Sequence, residues 1–236
     1  MFRLVVVTLL LIQSSMALAQ EEKPKYWSGD VELGAVSTSG NTEQTSIKLR
    51  TDIIREKDQW INSFHFDTYN ASEDGDETAE RFYTFYRLDY RLTEDGGLFG
   101  RLAYEDDKFS GFKNQADLIF GYNQTLVSRA TWSFKGDIGL GVRRSELDTG
   151  DTNTEMIVTT VGYLDWQISE NALFKQLLSF EVGEDLTITR SETSLEANII
   201  GALAMKLALM VKNSSEAPAG KEKTDTETTV TLVYKF

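Results

Sequence analysis

From Trp27 to Phe236 apolar and polar residues take turns along the chain with a period of two, the repeat of a β-strand that shows one face to an apolar environment. The apolar parity reads Trp27, Val31, Leu33 and Ala35 in the first segment, Trp60, Phe64 and Phe66 in the third, and Phe82, Tyr86, Leu88, Tyr90 and Leu92 in the fourth. It returns as Trp132, Phe134, Ile138, Leu140 and Val142 in the seventh, and closes with Val230, Leu232, Tyr234 and Phe236. Followed throughout, the pattern predicts about twelve strands, an even number as single-chain bacterial barrels require.

The intervening positions carry the charge: Lys48, Arg50 and Asp52; Arg81, Arg87, Asp89 and Arg91; Lys135, Asp137 and Arg143. Charge is nearly absent from the apolar parity, where an Arg or Lys in mid-bilayer would cost about 2–4 kcal/mol. A soluble sandwich could show the same alternation with its charged face in water, so the connections have to discriminate. The even-numbered ones, "REKDQ", "TEDGG", "VSRA", "SEN" and an ill-defined "IGA", are short; the odd-numbered "NASEDGDETAE", "DDKFSGFKNQ", "SELDTGDTN" and "NSSEAPAGKEKTD" are long, the exceptions being the first, "STSGNTEQ", of middling length, and the fifth odd-numbered one, near Gly183, Glu184 and Asp185, which is short. Tight turns at one end and long loops at the other are the rhythm of an outer-membrane barrel. Trp27, Trp60, Trp132 and Trp166 all fall at the turn end, as an interfacial aromatic girdle requires. The weakest stretch is Leu186 to Val211. "IIGALAMKLALMV" has the composition of a helix but reads here as a turn at Gly201-Ala202 and a strand with Lys206 and Lys212 on the polar parity, a short helix being the alternative.

Arg3, the apolar run from Leu4 to Ile12 and Ala17-Leu18-Ala19 before Gln20 predict a cleaved signal peptide over residues 1–19, with the barrel over 20–236. The apolar run is too short for a membrane helix, and no later apolar run reaches the roughly 18 residues that one needs. Removing Arg3 takes the formal charge from −13 to −14. A mean hydropathy of −0.31 is compatible with a barrel, whose lipid-facing residues are diluted by polar lumen residues. With no cysteine, no disulfide staples this exported chain; with proline only at Pro24 and Pro218, the interior is free for continuous ladders.

Candidate chemistry is sparse. One histidine and no cysteine exclude His/Cys metal clusters and thiol nucleophiles. His65 sits on the polar, lumen-facing parity, where a hydrogen-bonded lumen histidine is favoured over a serine-hydrolase base acting on membrane lipid. The acidic groups Glu73, Asp74, Asp76, Glu77 and Glu80, and Asp148, Asp151, Asn153 and Glu155, lack the spacing of a calcium loop and read as solvated charge. The lumen remains as the candidate site. His65, Arg87, Arg101, Lys135 and Asp137, with Asp117, Glu155, Asp165, Lys175 and Glu181, either line a narrow pore or pair across it and close it.

The opening segment, with Trp27, Gly29, Gly34 and the run Thr38-Ser39-Gly40-Asn41-Thr42, resembles the salt-induced outer-membrane protein family, and "KTDTETTVTLVYKF" resembles that family's final loop and strand. The resemblance implies an outer-membrane barrel with a name linked to salt stress, and supplies no catalytic residue or ligand. The expectation is therefore a single antiparallel transmembrane β-barrel in a Gram-negative outer membrane, acting as a narrow pore or an envelope-stabilising protein. It is expected to be no enzyme, to need no cofactor or metal, and to have no nucleic-acid partner. Its partners would be outer-membrane lipid, lipopolysaccharide and the barrel assembly machinery, which would read Leu232, Tyr234 and Phe236. The rival classes are a lipid-acting outer-membrane enzyme and a soluble periplasmic β-protein.

Overall fold

The computed structural model describes residues 26–38, 44–73, 76–107, 112–147, 149–217 and 222–236. The expected leader lies outside them. Twelve strands follow one another: β1 (Trp27–Thr38), β2 (Gln44–Lys57), β3 (Trp60–Glu73), β4 (Asp76–Arg91), β5 (Gly96–Asp107) and β6 (Phe112–Ser128), then β7 (Trp132–Leu147), β8 (Thr152–Ser169), β9 (Ala172–Gly183), β10 (Thr187–Ile200), β11 (Leu203–Ser214) and β12 (Thr224–Lys235). Each pairs antiparallel with its sequence neighbours, and β1 pairs with β12, so the sheet is a closed barrel. Among the described residues there is no helix.

The alternation puts apolar side chains on the outside. Phe120, Leu140 and Met156 are 64%, 62% and 68% exposed, while their strand neighbours Ile119 and Ile157 are 1% and 2% exposed. The exposed set includes large hydrophobic residues from every strand. So large a continuous apolar surface marks a face that water does not cover. The four tryptophans cluster at the turn end: Trp27, Trp60 and Trp132 open their strands, and Trp132 is the register partner of Trp166.

The turns are short because the local residues tolerate them. Asp58, with a φ of 55°, carries the two-residue β2–β3 turn, and Gly201, with a φ of 57°, carries the β10–β11 turn to Ala202. A left-handed backbone suits Gly, and Asn or Asp next best. The stretch after Gly201 is strand β11, not a helix, and it turns Lys206 and Lys212 inward.

The long loops need a correction. Most of the expected loop sequence continues the strands: β3 runs to Glu73 and β4 resumes at Asp76, and β7 runs to Leu147 before β8 begins at Thr152. Strands of 16 and 18 residues, β7 and β8, exceed the roughly 9–11 that cross a bilayer, so the hairpins project beyond the apolar band with their ladders intact. Outside the band the outward residues turn polar, as Arg144 and Thr154 do, and that loss of alternation is what reads as loop.

Candidate functional site

Inward-facing side chains fill the barrel unevenly. On the β5–β8 wall Phe99, Ile119 and Ile157 form a buried apolar cluster, and glycines at 139 and 141 leave room for Ile119. The rest of the lumen is charged, and its charges pair.

Near the loop end, Arg143 is 1% exposed and lies 2.8 Å from Glu181, 3.3 Å from Asp117 and 3.6 Å from Glu155. Glu181 also receives Arg101 at 2.9 Å and Arg190 at 2.8 Å. Arg190 of β10 and Lys212 of β11 both reach Glu105 of β5 at 2.8 Å. β5 and β11 are diametrically opposed in a twelve-strand ring, so the Glu105–Lys212 pair spans the lumen from wall to wall.

Three further groups continue the lattice. Lys48 and Arg81 share Asp67, at 3.0 and 2.7 Å, and Glu227. Arg50 contacts Asp52 at 3.0 Å and Glu192 at 2.8 Å, and Lys206 contacts Glu32 at 2.9 Å. Arg87 pairs with Asp89 and Asp137 and lies 4.1 Å over the Phe99 ring; the Tyr163 hydroxyl donates to Asp137 at 3.1 Å. Buried charges persist only when paired and hydrogen-bonded, and here each acid meets a cation.

A cavity of about 720 Å³ runs up the lumen with the Lys48, Arg50, Arg87 and Lys206 groups in its wall. It reaches Thr93, Glu94 and Asp95 in the β4–β5 turn and stops at Glu105, Arg190 and Glu227, so it is a vestibule open toward the turn end. Ten basic and fourteen acidic residues line it, an acidic excess. Lys135, Asp165 and Lys175 line the vestibule with no ion pair among the described residues.

Of the sequence-predicted residues, Arg87, Arg101 and Asp137 belong to the lattice, Lys135 stands in the vestibule wall, and His65 lies beside it with Nδ1 2.6 Å from Asp52 Oδ1 and its ring stacked on Phe85. No hydroxyl is hydrogen-bonded to the His65 ring among the described residues. Leu232 and Tyr234 face outward, and Phe236 is exposed. Thr38 ends β1, and Ser39, Gly40, Asn41 and Thr42 lie outside the described residues. Glu155, placed in both an acidic loop and the lumen by its sequence, is in the lumen, where Oε2 accepts from the Asp185 amide at 2.9 Å. Among the described residues no acidic group has the arrangement of a metal site. Sequence reasoning missed Glu105, Arg190, Lys212 and Glu227 as site residues; their inward parity is the signal that could have found them.

Fold and lumen together define a closed twelve-strand barrel of the outer-membrane type with an ion-paired interior. The chain belongs to the family described as "Protein of unknown function, DUF481", which matches residues 31–236. It is 28% identical over 219 residues, 92% of this chain and 86% of the relative, to "Uncharacterized protein YdiY" of Escherichia coli strain K12. Among solved structures it is similar to the NanC porin, with a TM-score of 0.53, 10% identity, and coverage of 87% of this chain and 98% of that one. The translocator domain of the autotransporter NalP from Neisseria meningitidis gives 0.52 at 9% identity, covering 99% and 96%. The COG4313 outer membrane channel from Pseudomonas putida F1 gives 0.52 at 12%, covering 93% and 98%. These likenesses are of fold.

Proposed function

We propose that this protein is a non-enzymatic, integral outer-membrane barrel with a lumen shut by a transverse ion-pair lattice, passing small ions only when that lattice loosens. The observation that carries the reading is Glu105, which holds Arg190 and Lys212 from the far wall and so lays a bridge of side chains across the lumen. The outward apolar face supports residence in lipid, and the acidic excess of the vestibule supports preference for cations among the ions that pass. Salt offers a trigger. Raising ionic strength from about 0.1 to about 1 M shortens the screening length from about 10 to about 3 Å and weakens charge pairs that water can reach. That gives physical content to the salt-linked name of the family the sequence resembles. Assembly would be through the barrel machinery acting on the terminal strand, and the external contacts would be lipid and lipopolysaccharide.

The first test is fractionation. The protein should sediment with outer membranes and migrate faster unheated than heated in detergent electrophoresis. Recovery in the osmotic-shock fluid would reject the reading.

A further inference from the structure

Most charges in the lumen are paired, and the balance left over differs in sign between two opposite walls. Asp30, Lys135, Asp165 and Lys175 line the vestibule and make neither an ion pair nor a side-chain hydrogen bond among the described residues. Asp30, Lys135 and Lys175 each stand three residues past the one that opens the strand, Trp27, Trp132 and Ala172. All three strands begin at the turn end, so these groups share one level above the rim. β1 and β7 are diametrically opposed in the ring, and β9 lies two strands from β7.

The surroundings reinforce the asymmetry. On the Asp30 side stand Glu32, Asp52 and Glu192, and those acids are met by Arg50 and Lys206 alone. Lys235, the register partner of Asp30 on β12, turns to Glu196. On the far side Lys135 and Lys175 flank β8 with Asp165 between them, and the adjacent Asp137 is engaged by Arg87 and the Tyr163 hydroxyl. One wall is therefore acidic in balance and the other basic, and a single cavity borders both. Opposite fixed charges across a water-filled passage with low-dielectric walls set up a transverse field, which turns a dipolar solute and holds each of its ends.

The width selects the length of that solute. Twelve strands about 4.8 Å apart and tilted about 40° make a ring about 24 Å across between Cα atoms. An extended Lys and an Asp reaching inward leave about 15 Å between their charged groups. Three residues of extended peptide span about 10 Å, and an ion contact of about 2.8 Å at each end fills the rest.

We propose that the vestibule binds zwitterionic solutes of about tripeptide length, entering from the turn end, with the ammonium at Asp30 and the carboxylate held by Lys135 and Lys175. The inference deepens the lumen reading above and rests on it. Binding is weak, because ion contacts in water-filled surroundings contribute little singly and both ends must be engaged.

Trialanine is the probe, titrated against the full barrel folded in the uncharged detergent dodecyl maltoside and followed by saturation-transfer NMR of the peptide methyl groups. Free trialanine should bind about fivefold more tightly than N-acetyl-trialanine or trialanine amide, and about twenty-fivefold more tightly than the doubly blocked peptide. Asp30→Asn should weaken trialanine and its amide about fivefold and leave the N-acetyl peptide unchanged; Lys135→Gln with Lys175→Gln should weaken trialanine and the N-acetyl peptide and leave the amide unchanged. That crossed pattern reports the orientation of the bound peptide, which a general loss of structure would not reproduce. Equal binding of free and blocked peptides, loss of both half-blocked peptides in the same variant, or no binding of trialanine to a barrel shown to be folded by heat-modifiable migration would overturn the proposal. Failure of the protein to form a heat-modifiable barrel would instead overturn the membrane reading on which it rests.

Discussion

Glu105 illustrates how a residue's role follows from its parity and from what stands opposite. One strand position to either side would face lipid; where it is, 5% exposed, it holds two cations from the far wall. Glu105→Gln keeps the shape and removes the charge, leaving Arg190 and Lys212 partly uncompensated. The variant should lose about 3 kcal/mol of unfolding free energy, the scale for removing one member of a buried pair, and should conduct more than the wild type. Urea titration of the folded barrel and single-channel recording check the two parts; an unchanged conductance would show that Glu105 does not obstruct the path. At this scale the sequence was legible as sidedness and not as pairing. Arg87, Arg101 and Asp137 could be assigned inward from alternation, but which acid meets which base depends on strand stagger around the ring, which no local pattern encodes. The buried Phe99, Ile119 and Ile157 were hidden for the opposite reason: they are apolar residues on the polar parity, and the room for Phe99 and Ile119 comes from glycines on a neighbouring strand.

Strand β7 shows most plainly what each face must be. Ile138 is 59% exposed on the outside, and its neighbour Asp137 faces the lumen at 6%. Ile138→Arg should destabilise the barrel in vesicles by about 2–4 kcal/mol, the midplane cost of such a cation, measured against the wild type by equilibrium unfolding. A loss below about 0.5 kcal/mol would mean that this face does not meet lipid. β12 carries a further burden, since it both closes the ring and leads through Tyr234 into Phe236 at the turn-end rim. Phe236→Lys should lower the amount in the outer-membrane fraction severalfold, as read by immunoblot of fractionated cells. Strand number, order and sidedness were readable because the outer environment is uniform around the ring, so each strand repeats the same signal. Strand ends were not. Outside the apolar band nothing penalises a polar outward residue, and backbone pairing continues there without an alternation to report it, as in β3, β4, β7 and β8.

The whole molecule joins an apolar exterior to a charged, ion-paired interior. Those two properties place opposite demands on salt: the exterior is held by apolar contact and backbone ladders and is indifferent to it, whereas pairs bordering a water-filled vestibule weaken as screening rises. The fold could be inferred from sequence because it depends on the exterior; whether the lumen is open could not, because that depends on contacts between strands four to six places apart in the ring. Conductance of the purified protein in planar bilayers, followed from about 0.1 to about 1 M potassium chloride, tests the ion-pair closure most directly. Closure by the lattice predicts near silence at low salt and a rise at high salt steeper than the conductivity of the solution. A large conductance already present at low salt, growing only in proportion to bulk conductivity, would show an open pore and contradict it.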